Sequence, residues 1–193
     1  DTEVMRAQYA AKVRVMDRIP AKRIFTTPAG EQVIDFGQNM AGLVEVELPP
    51  LSLLTGEKKE IRITHGEVLD KDGNFYNENY RTARSEDLYR YGKGDVGKKV
   101  IPHFTYHGFR YIRVEGVDTS IDTKYFTAGA MHSDMQKAGT MTTSNHLVNC
   151  LIQNIEWGQR RNFFDIPTDC PQRDERLGWT GDAMIFSKTA MQN

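Results

Sequence analysis

The sequence predicts an antiparallel β-sandwich of the jelly-roll type, followed by an all-α segment. Between residues 23 and 130, short runs of alternating apolar and polar residues are separated by glycine and proline turns. After residue 131 the apolar residues recur at helical spacing instead. We therefore divide the chain into an upstream tail (1–22), a β-sandwich domain (23–130) and the beginning of a helical domain (131–193).

Six strands are predicted in the sandwich domain because these runs are rich in β-branched and aromatic residues. They cover residues 32–36, 43–48, 60–64, 86–91, 109–115 and 124–128. The run Asp70-Lys-Asp-Gly-Asn74 begins like a calcium-binding loop. However, Phe75 stands where such a loop needs glycine, and Arg81 stands where it needs a closing glutamate. We interpret the run as a hairpin turn.

Two helices are predicted in the last third of the chain. The pair Ser144-Asn145 is a good helix cap, and the helix after it is expected to run to about Arg160. A second helix is expected to begin near Ala183. The residues of the first helix that its spacing predicts to be buried are Leu147, Leu151 and Ile155.

Composition excludes several classes of partner. The formal net charge is −1, from 25 basic and 26 acidic residues that are well mixed. Bulk charge therefore attracts neither nucleic acid nor a membrane surface. No apolar run approaches the ~20 residues of a membrane span. Cys150 and Cys170 are the only cysteines, and we predict that both are unpaired thiols.

The densest group of chemically useful residues lies between Asp165 and Asp182. This stretch holds five acidic residues, together with arginines, prolines, glycines and Trp179. A site that cleaves sugars needs carboxylates for proton transfer, an arginine to orient them and an aromatic ring for the sugar face. The stretch is therefore a candidate active site for a carbohydrate.

A structural interpretation of this stretch is also open. Asp169 could cap a helix, with Gln172 three residues later as its capping partner. That reading does not account for Glu175, Trp179 and Asp182 together. On a helix those three would share one face, whereas a loop that folds over a cleft would serve as well.

The run from Thr168 to Ala183 resembles the signature of the bacterial α-L-rhamnosidases of glycoside hydrolase family 78. Three earlier runs, Asp35–Gly42, His65–Asp70 and Pro102–Tyr111, resemble the β-sandwich that precedes the catalytic barrel in that family. The segment 144–162 resembles the first helix of the barrel. The resemblance therefore extends over most of the chain.

This resemblance implies an inverting hydrolase of terminal α-L-rhamnosides with an (α/α)6 barrel and no cofactor or metal. It implies that Glu175 is the general acid and that the general base is a glutamate further downstream, which no residue of this chain matches. The expected partners are rhamnose-containing glycosides and the rest of the barrel, and the fragment alone is expected to be inactive. The positions implied to bind the sugar are Asp169, Arg173, Trp179 and Asp182.

The charge state of Glu175 is left open by the sequence. A glycosidic oxygen is a poor leaving group unless it is protonated as the bond breaks, so the acid must hold a proton near neutral pH. Burial and neighbouring carboxylates would favour the protonated form, whereas an adjacent Arg173 or Arg176 would favour the ionised form. Asp174 is the rival acid, and its shorter side chain makes a solvated or arginine-paired role the better interpretation.

Other features of the sandwich have ordinary explanations. His103 and His107 are expected to be core or hydrogen-bonding residues, because no third metal ligand stands near them. The aromatic residues Phe104, Tyr106, Phe109 and Tyr111 are expected to pack between the sheets rather than stack on a sugar. The alternative function is that of a non-catalytic carbohydrate-binding or structural β-sandwich module.

Overall fold

The computed structural model describes residues 7–175 and 177–192. Its larger strands are β1 (Val13–Pro20), β2 (Arg23–Thr26), β3 (Gln32–Glu47), β4 (Glu60–Gly66), β7 (Glu86–Arg90), β9 (His107–Glu115) and β10 (Phe126–Ser133). Short strands are β5 (Val68–Leu69), β6 (Phe75–Tyr76), β8 (Lys99–Val100), β11 (Phe163–Phe164) and β12 (Ile166–Pro167). The helices are α1 (His146–Asn162) and α2 (Thr180–Ala190), and 3₁₀ turns cover Leu51–Leu53, Glu78–Tyr80, Lys93–Asp95 and Thr123–Tyr125.

The larger strands and β8 form one antiparallel sheet that curls about β3, while β5–β6 and β11–β12 are separate two-stranded pairs. The sheet runs in the order β1-β10-β3-β9-β4-β7, and β2 and β8 also pair with β3. The 16-residue β3 contains both the predicted strand 32–36 and most of the predicted strand 43–48. Its pairing with β9 shifts register between Asp35 and Met40, where an irregularity interrupts the ladder. The predicted antiparallel sandwich is confirmed, in the form of a single curled sheet.

The core lies inside the curl and is made by the inward-facing residues of several strands. Phe36 and Phe109 meet edge to face, with ring centroids 5.7 Å apart. Burying an aliphatic or aromatic side chain of this size contributes about 1.5–3 kcal/mol. Residues with no exposed surface include Ile34, Val44, Ile61, Ile63 and Ile112.

Part of the predicted upstream tail joins the sheet. β1 pairs along β10, from Val13 opposite Ser133 to Pro20 opposite Thr127. Residues 1–6 lie outside the described part of the chain. The strand predicted at 124–128 begins later than expected, because β10 starts at Phe126. The Asp122 side chain accepts from the Lys124 N–H and so caps a 3₁₀ turn before it. The domain limits themselves remain a prediction.

The cap of α1 is confirmed, but its predicted burial is wrong. The Asn145 side chain accepts from the N–H groups of Leu147 and Val148. Leu147 is 75 % exposed and Leu151 58 % exposed, while Ile155 is only partly buried. The helix contacts the sheet core through Trp157, nearer its carboxyl end, so no described element covers the two leucines. Neither described helix is long and apolar enough to cross a membrane.

The turn after β5 is the predicted hairpin. Asp70 Oδ1 accepts from the N–H groups of Asp72 and Asn74 at 2.9 and 2.7 Å. These hydrogen bonds, above all those from Asn74, lower the pKa of Asp70. Both cysteines are free thiols, as predicted.

Two residues of the loop before β9 contradict the sequence prediction. His103 is exposed, so it is not a core residue. Phe104 is fully exposed and has a φ of 59°, so it does not pack between the sheets. Phe109 and Tyr111 are buried, as expected. Tyr106 instead stacks on Phe164 of β11, outside the sandwich, with ring centroids 4.1 Å apart.

Candidate active site

The acidic stretch forms a closed loop between α1 and α2, which we call the acidic loop (residues 169–177). The short hairpin β11–β12 leads into it after α1. Thr168 and Gly178 form an antiparallel bridge across its base, and the Trp179 N–H donates to the Pro167 carbonyl at 3.1 Å. The loop is therefore tied at both ends. Arg176 lies outside the described residues, so the effect that an adjacent Arg176 would have on Glu175 stays a hypothesis.

Asp169, Arg173 and Glu175 come together inside the acidic loop. Arg173 Nη2 lies 2.8 Å from Glu175 Oε2 and 3.9 Å from Asp169 Oδ2. Each of the three side chains is about two-thirds to three-quarters buried. The Arg173 guanidinium thus lies against two carboxylates, and its positive charge offsets the repulsion between them.

The sandwich reaches this group through the turn after residues 78–80. Arg81 Nη1 lies 3.2 Å from Glu175 Oε2, and the neighbouring Thr82 hydroxyl donates to Asp174. The sequence analysis missed both contacts, because 92 to 94 residues separate the partners. No local pattern around Arg81 points to a partner so far along the chain.

Asp174, the rival acid, is exposed and ionised more readily than usual. The hydrogen bond from Thr82 is the main reason why the pKa of Asp174 is lowered. A carboxyl that gives up its proton more easily is a poorer general acid near neutral pH. Asp174 is therefore a weaker candidate for the general acid than a carboxyl with an ordinary pKa.

Cys170 and the carboxylates of the loop do not form a convincing metal site. Ligand atoms of Asp169, Cys170 and Glu175 lie within 4.8 Å of one another. Burial and a hydrogen bond to Asp169 raise the pKa of the Cys170 thiol to about 11, so the thiolate that a metal prefers is disfavoured. The Arg173 guanidinium also lies against both carboxylates.

Trp179 and Asp182 lie beside the loop, at the start of α2. Trp179 is the N-cap residue of α2 and is 43 % exposed, and Asp182 is in the first turn. An acidic residue in a first helical turn has a favourable interaction with the helix dipole. The helix expected near Ala183 is confirmed, whereas no helix begins at Asp169, so the capping interpretation of Asp169 is wrong.

Gln172 fastens the acidic loop to the sandwich. Its Oε1 accepts from Arg161 Nη2 at 3.3 Å, and the same guanidinium pairs with Glu67. Asn39 Nδ2 completes the network by donating to Glu67 Oε1 at 3.0 Å. Asn39 and Glu67 belong to the sandwich runs that resemble the rhamnosidase family. These runs therefore contact the acidic loop through Arg161 and Gln172.

A buried histidine cluster lies in the sandwich, apart from the acidic loop. His65, Asp87 and His107 place ligand atoms within 4.8 Å of one another. The two imidazole rings are stacked at 4.0 Å with only 21° between their planes. Lone pairs of stacked rings run side by side rather than converging on one ion. His107 contacts Ser85 Oγ at 3.3 Å and Asp87 Oδ1 at 3.4 Å, in agreement with a hydrogen-bonding role.

A cavity of about 460 Å³ lies elsewhere, between the segment 135–138 and the ends of α1 and α2. Its lining includes Met16, His132, Glu156 and Arg160 but no residue of the acidic loop. This cavity is therefore separate from the acidic loop.

Comparisons with known proteins give matches to two consecutive parts of the chain. Residues 25–132 match the model of the bacterial alpha-L-rhamnosidase concanavalin-like domain. Residues 136–193 match the bacterial alpha-L-rhamnosidase 6 hairpin glycosidase domain. The chain thus joins a concanavalin-like domain to part of a glycosidase domain. It belongs to the bacterial α-L-rhamnosidase family, and the resemblance found in the sequence is confirmed.

Individual relatives support this assignment. An alpha-L-rhamnosidase of Formosa agariphila is 44% identical over 168 residues, which are 86% of this chain and 17% of that protein. An alpha-L-rhamnosidase of Alteromonas sp. is 38% identical over 190 residues, which are 97% of this chain and 20% of that protein. The chain therefore spans about a fifth of the length of these relatives.

Solved structures give the same result. The alpha-L-rhamnosidase of Streptomyces avermitilis complexed with L-rhamnose superposes with a TM-score of 0.86 at 39% identity, over 95% of this chain and 17% of that one. The enzyme of Aspergillus terreus superposes with a TM-score of 0.84 at 40% identity, over 93% of this chain and 20% of that one.

Proposed function

We propose that this chain is the part of an α-L-rhamnosidase that supplies the general acid, Glu175. In the whole protein it would act in the inverting removal of terminal α-L-rhamnose from glycosides. The observation that carries the proposal is the position of Glu175, which is largely buried and held by one arginine from each domain. No cofactor enters the proposed reaction.

In the proposed reaction, Glu175 gives its proton to the glycosidic oxygen as the bond to the sugar breaks. The sugar then carries positive charge, and water attacks its opposite face. Asp169, Arg173, Trp179 and Asp182 would bind rhamnose, the charged groups through its hydroxyls and Trp179 through its ring face.

The general base would come from another part of the whole protein. An inverting pair of carboxyl groups stands roughly 6.5–9.5 Å apart, which leaves space for sugar and water. An oxygen of Asp169 lies within 4.8 Å of one of Glu175, and Arg173 contacts both residues. Asp169 is therefore too close to serve as the base. On this proposal the isolated chain does not hydrolyse rhamnosides, and the rest of the barrel is its partner.

The decisive experiment is Glu175→Gln in the intact parent protein. We expect natural and alkyl rhamnosides to lose about 10²–10⁴-fold in kcat/KM, while an activated aryl rhamnoside loses far less, because its leaving group needs little protonation. Asp174→Asn is the matched control, and only a small loss is expected there. Near-normal cleavage of alkyl rhamnosides by Glu175→Gln would contradict the proposal.

Two of the aromatic residues that a carbohydrate-binding sandwich could use are occupied within the fold, whereas Phe104 is fully exposed. Phe109 is fully buried and Tyr106 is occupied by its stacking contact with Phe164. Calorimetric titration of the intact protein with rhamnose tests the point. If rhamnose binding survives Tyr106→Ala but is lost in Trp179→Ala, the sugar binds at the acidic loop. If binding survives Trp179→Ala but is lost in Tyr106→Ala, the sandwich is the carbohydrate-binding module.

A further inference from the structure

Arg81 has a backbone conformation that arginine rarely adopts. It follows the 3₁₀ turn Glu78–Tyr80 with φ 59° and ψ −118°. This is a region that favours glycine, and residues held there cluster at functional sites. Tyr80 anchors the turn, since it is buried and its hydroxyl donates to the Gly108 carbonyl. The fold therefore fixes the direction in which Arg81 leaves the backbone.

Two adjacent residues of this turn contact two adjacent residues of the acidic loop. Arg81 pairs with Glu175, and Thr82 donates to Asp174. This double contact sets the register between the turn and the loop. It also brings the sandwich, which the family comparison assigns to a separate domain, to the carboxylate of the candidate acid.

The Arg81 and Arg173 guanidinium groups contact the same oxygen of Glu175. Arg81 Nη1 lies 3.2 Å and Arg173 Nη2 2.8 Å from Oε2. In the described part of the chain, both ion pairs of Glu175 thus involve one oxygen, so the proton to be donated is assigned to Oε1. Two cations on one oxygen also fix the rotation of the carboxyl group.

Stability alone is a weak explanation for the Arg81 contact. The Arg81 side chain is 55 % exposed, and ion pairs with an exposed partner contribute little to folding. Arg81 has an unfavourable backbone conformation and makes only a weak ion pair. This combination is better explained if Arg81 orients Glu175 than if it holds the two domains together.

We propose that Arg81 is a positioning residue from the sandwich domain, which orients the Glu175 carboxyl so that Oε1 faces the glycosidic oxygen. The proposal rests on the general-acid role of Glu175. It makes the sandwich a working part of the active site. Loss of Arg81 should therefore impair only the step in which the leaving group is protonated.

The test compares Arg81→Met with Arg84→Met in the intact parent protein. Arg84 lies three residues further along the same segment, is exposed, and has no ion pair with the acidic loop among the described residues. For each variant, kcat/KM is measured with methyl α-L-rhamnoside and with a dinitrophenyl α-L-rhamnoside on the plateau of its pH profile. The ratio of the two rates does not depend on how much of the protein is folded.

We expect Arg81→Met to lose roughly 10- to 100-fold on the methyl glycoside and little on the dinitrophenyl glycoside. Arg84→Met should change neither rate. Arg81→Gly should match Arg81→Met while folding at least as well, since glycine adopts this φ without strain.

Equal losses on both glycosides, or no loss at all, would overturn the positioning role of Arg81. Glu175→Gln is measured in parallel to separate this result from a failure of the proposed function. If Glu175→Gln shows the selective loss and Arg81→Met does not, only the role of Arg81 is wrong. If Glu175→Gln shows no selective loss, the general-acid assignment fails and the role of Arg81 fails with it.

Discussion

Gly108 and Gln172 touch where the sandwich meets the acidic loop. A Cβ atom at position 108 would lie 2.7 Å from Gln172 Cβ and 3.1 Å from Gln172 Cα. The obstruction is backbone and the first side-chain atom, which cannot rotate away. Glycine at this position therefore sets how closely the loop approaches β9.

Gly108→Ala is expected to displace the acidic loop. A shift of about 1 Å in catalytic groups can cost on the order of 10²-fold in rate, and overpacking costs about 1–3 kcal/mol in stability. The check is kcat/KM and the unfolding temperature of the intact parent. Gly94→Ala is the control, because a Cβ atom there meets nothing within 4 Å. Equal behaviour of the two variants would contradict the expectation.

The ion pair between Asp35 and Arg110 is expected to stabilise the curl of the sheet. Arg110 Nε and Nη2 lie 2.9 and 3.1 Å from the two Asp35 oxygens, and the Gly37 N–H donates to Oδ1 at 2.7 Å. Burial opposes ionisation of Asp35, but the Arg110 and Gly37 hydrogen bonds outweigh it and lower the pKa. Arg110→Met removes the main partner of this carboxylate but leaves Arg23, 3.4 Å from Oδ2, and should cost about 1.5–3 kcal/mol.

The same pair predicts a pH dependence. The pKa of Asp35 is lowered from its ordinary value of 3.8, so its contribution to stability is present above that value and is lost as the pH falls through the folded-state pKa. Chemical denaturation across the acid range should show a smaller loss of stability in Arg110→Met than in the wild type. Arg18→Met is the control for Arg110→Met. It removes an arginine that is 61% exposed, and the free energy of unfolding should fall by at most about 1 kcal/mol.

Cys170 is expected to react slowly with alkylating reagents. Burial raises its pKa most, and Asp169 adds to the effect, giving a value of about 11 against an ordinary 9.0. Because the thiolate is the reactive form, labelling at pH 8 should be roughly a hundredfold slower than for a free thiol. In a Cys150→Ser background, Asp169→Asn should speed labelling and Asp134→Asn should not. Mass spectrometry gives the rates, and fast wild-type labelling would contradict the pKa.

Local patterns predicted the elements, whereas contacts distant in sequence could not be predicted. Alternation located most strands, and the Asn145 cap located the start of α1. Nothing local showed that 32–36 and 43–48 form one strand, because the chain continues through a register shift instead of turning. The grouping of Asp169, Arg173 and Glu175 followed from a short motif. Arg81 was not predicted, since its partner lies 94 residues away.

The exposed faces of α1 and α2 are expected to make the isolated chain self-associate. Leu151 is 58 % exposed, and on α2 Met184 and Ile185 are 72 % and 80 % exposed. Grouped apolar side chains of this kind mark interaction surfaces, whereas scattered ones do not. Light scattering of the isolated chain should show oligomers or aggregates, and a clean monomer would refute the expectation.

A pair of double variants identifies the surface. Leu151→Lys with Ile185→Lys should shift the isolated chain towards monomer. Val68→Lys with Leu88→Lys changes two exposed apolar residues of the sandwich and should leave association unchanged. In the intact parent protein, the helix variant should be the less stable of the two. If the rest of the barrel covers α1 and α2, the helix variant buries two charges and lowers the unfolding temperature, while the sandwich variant is tolerated.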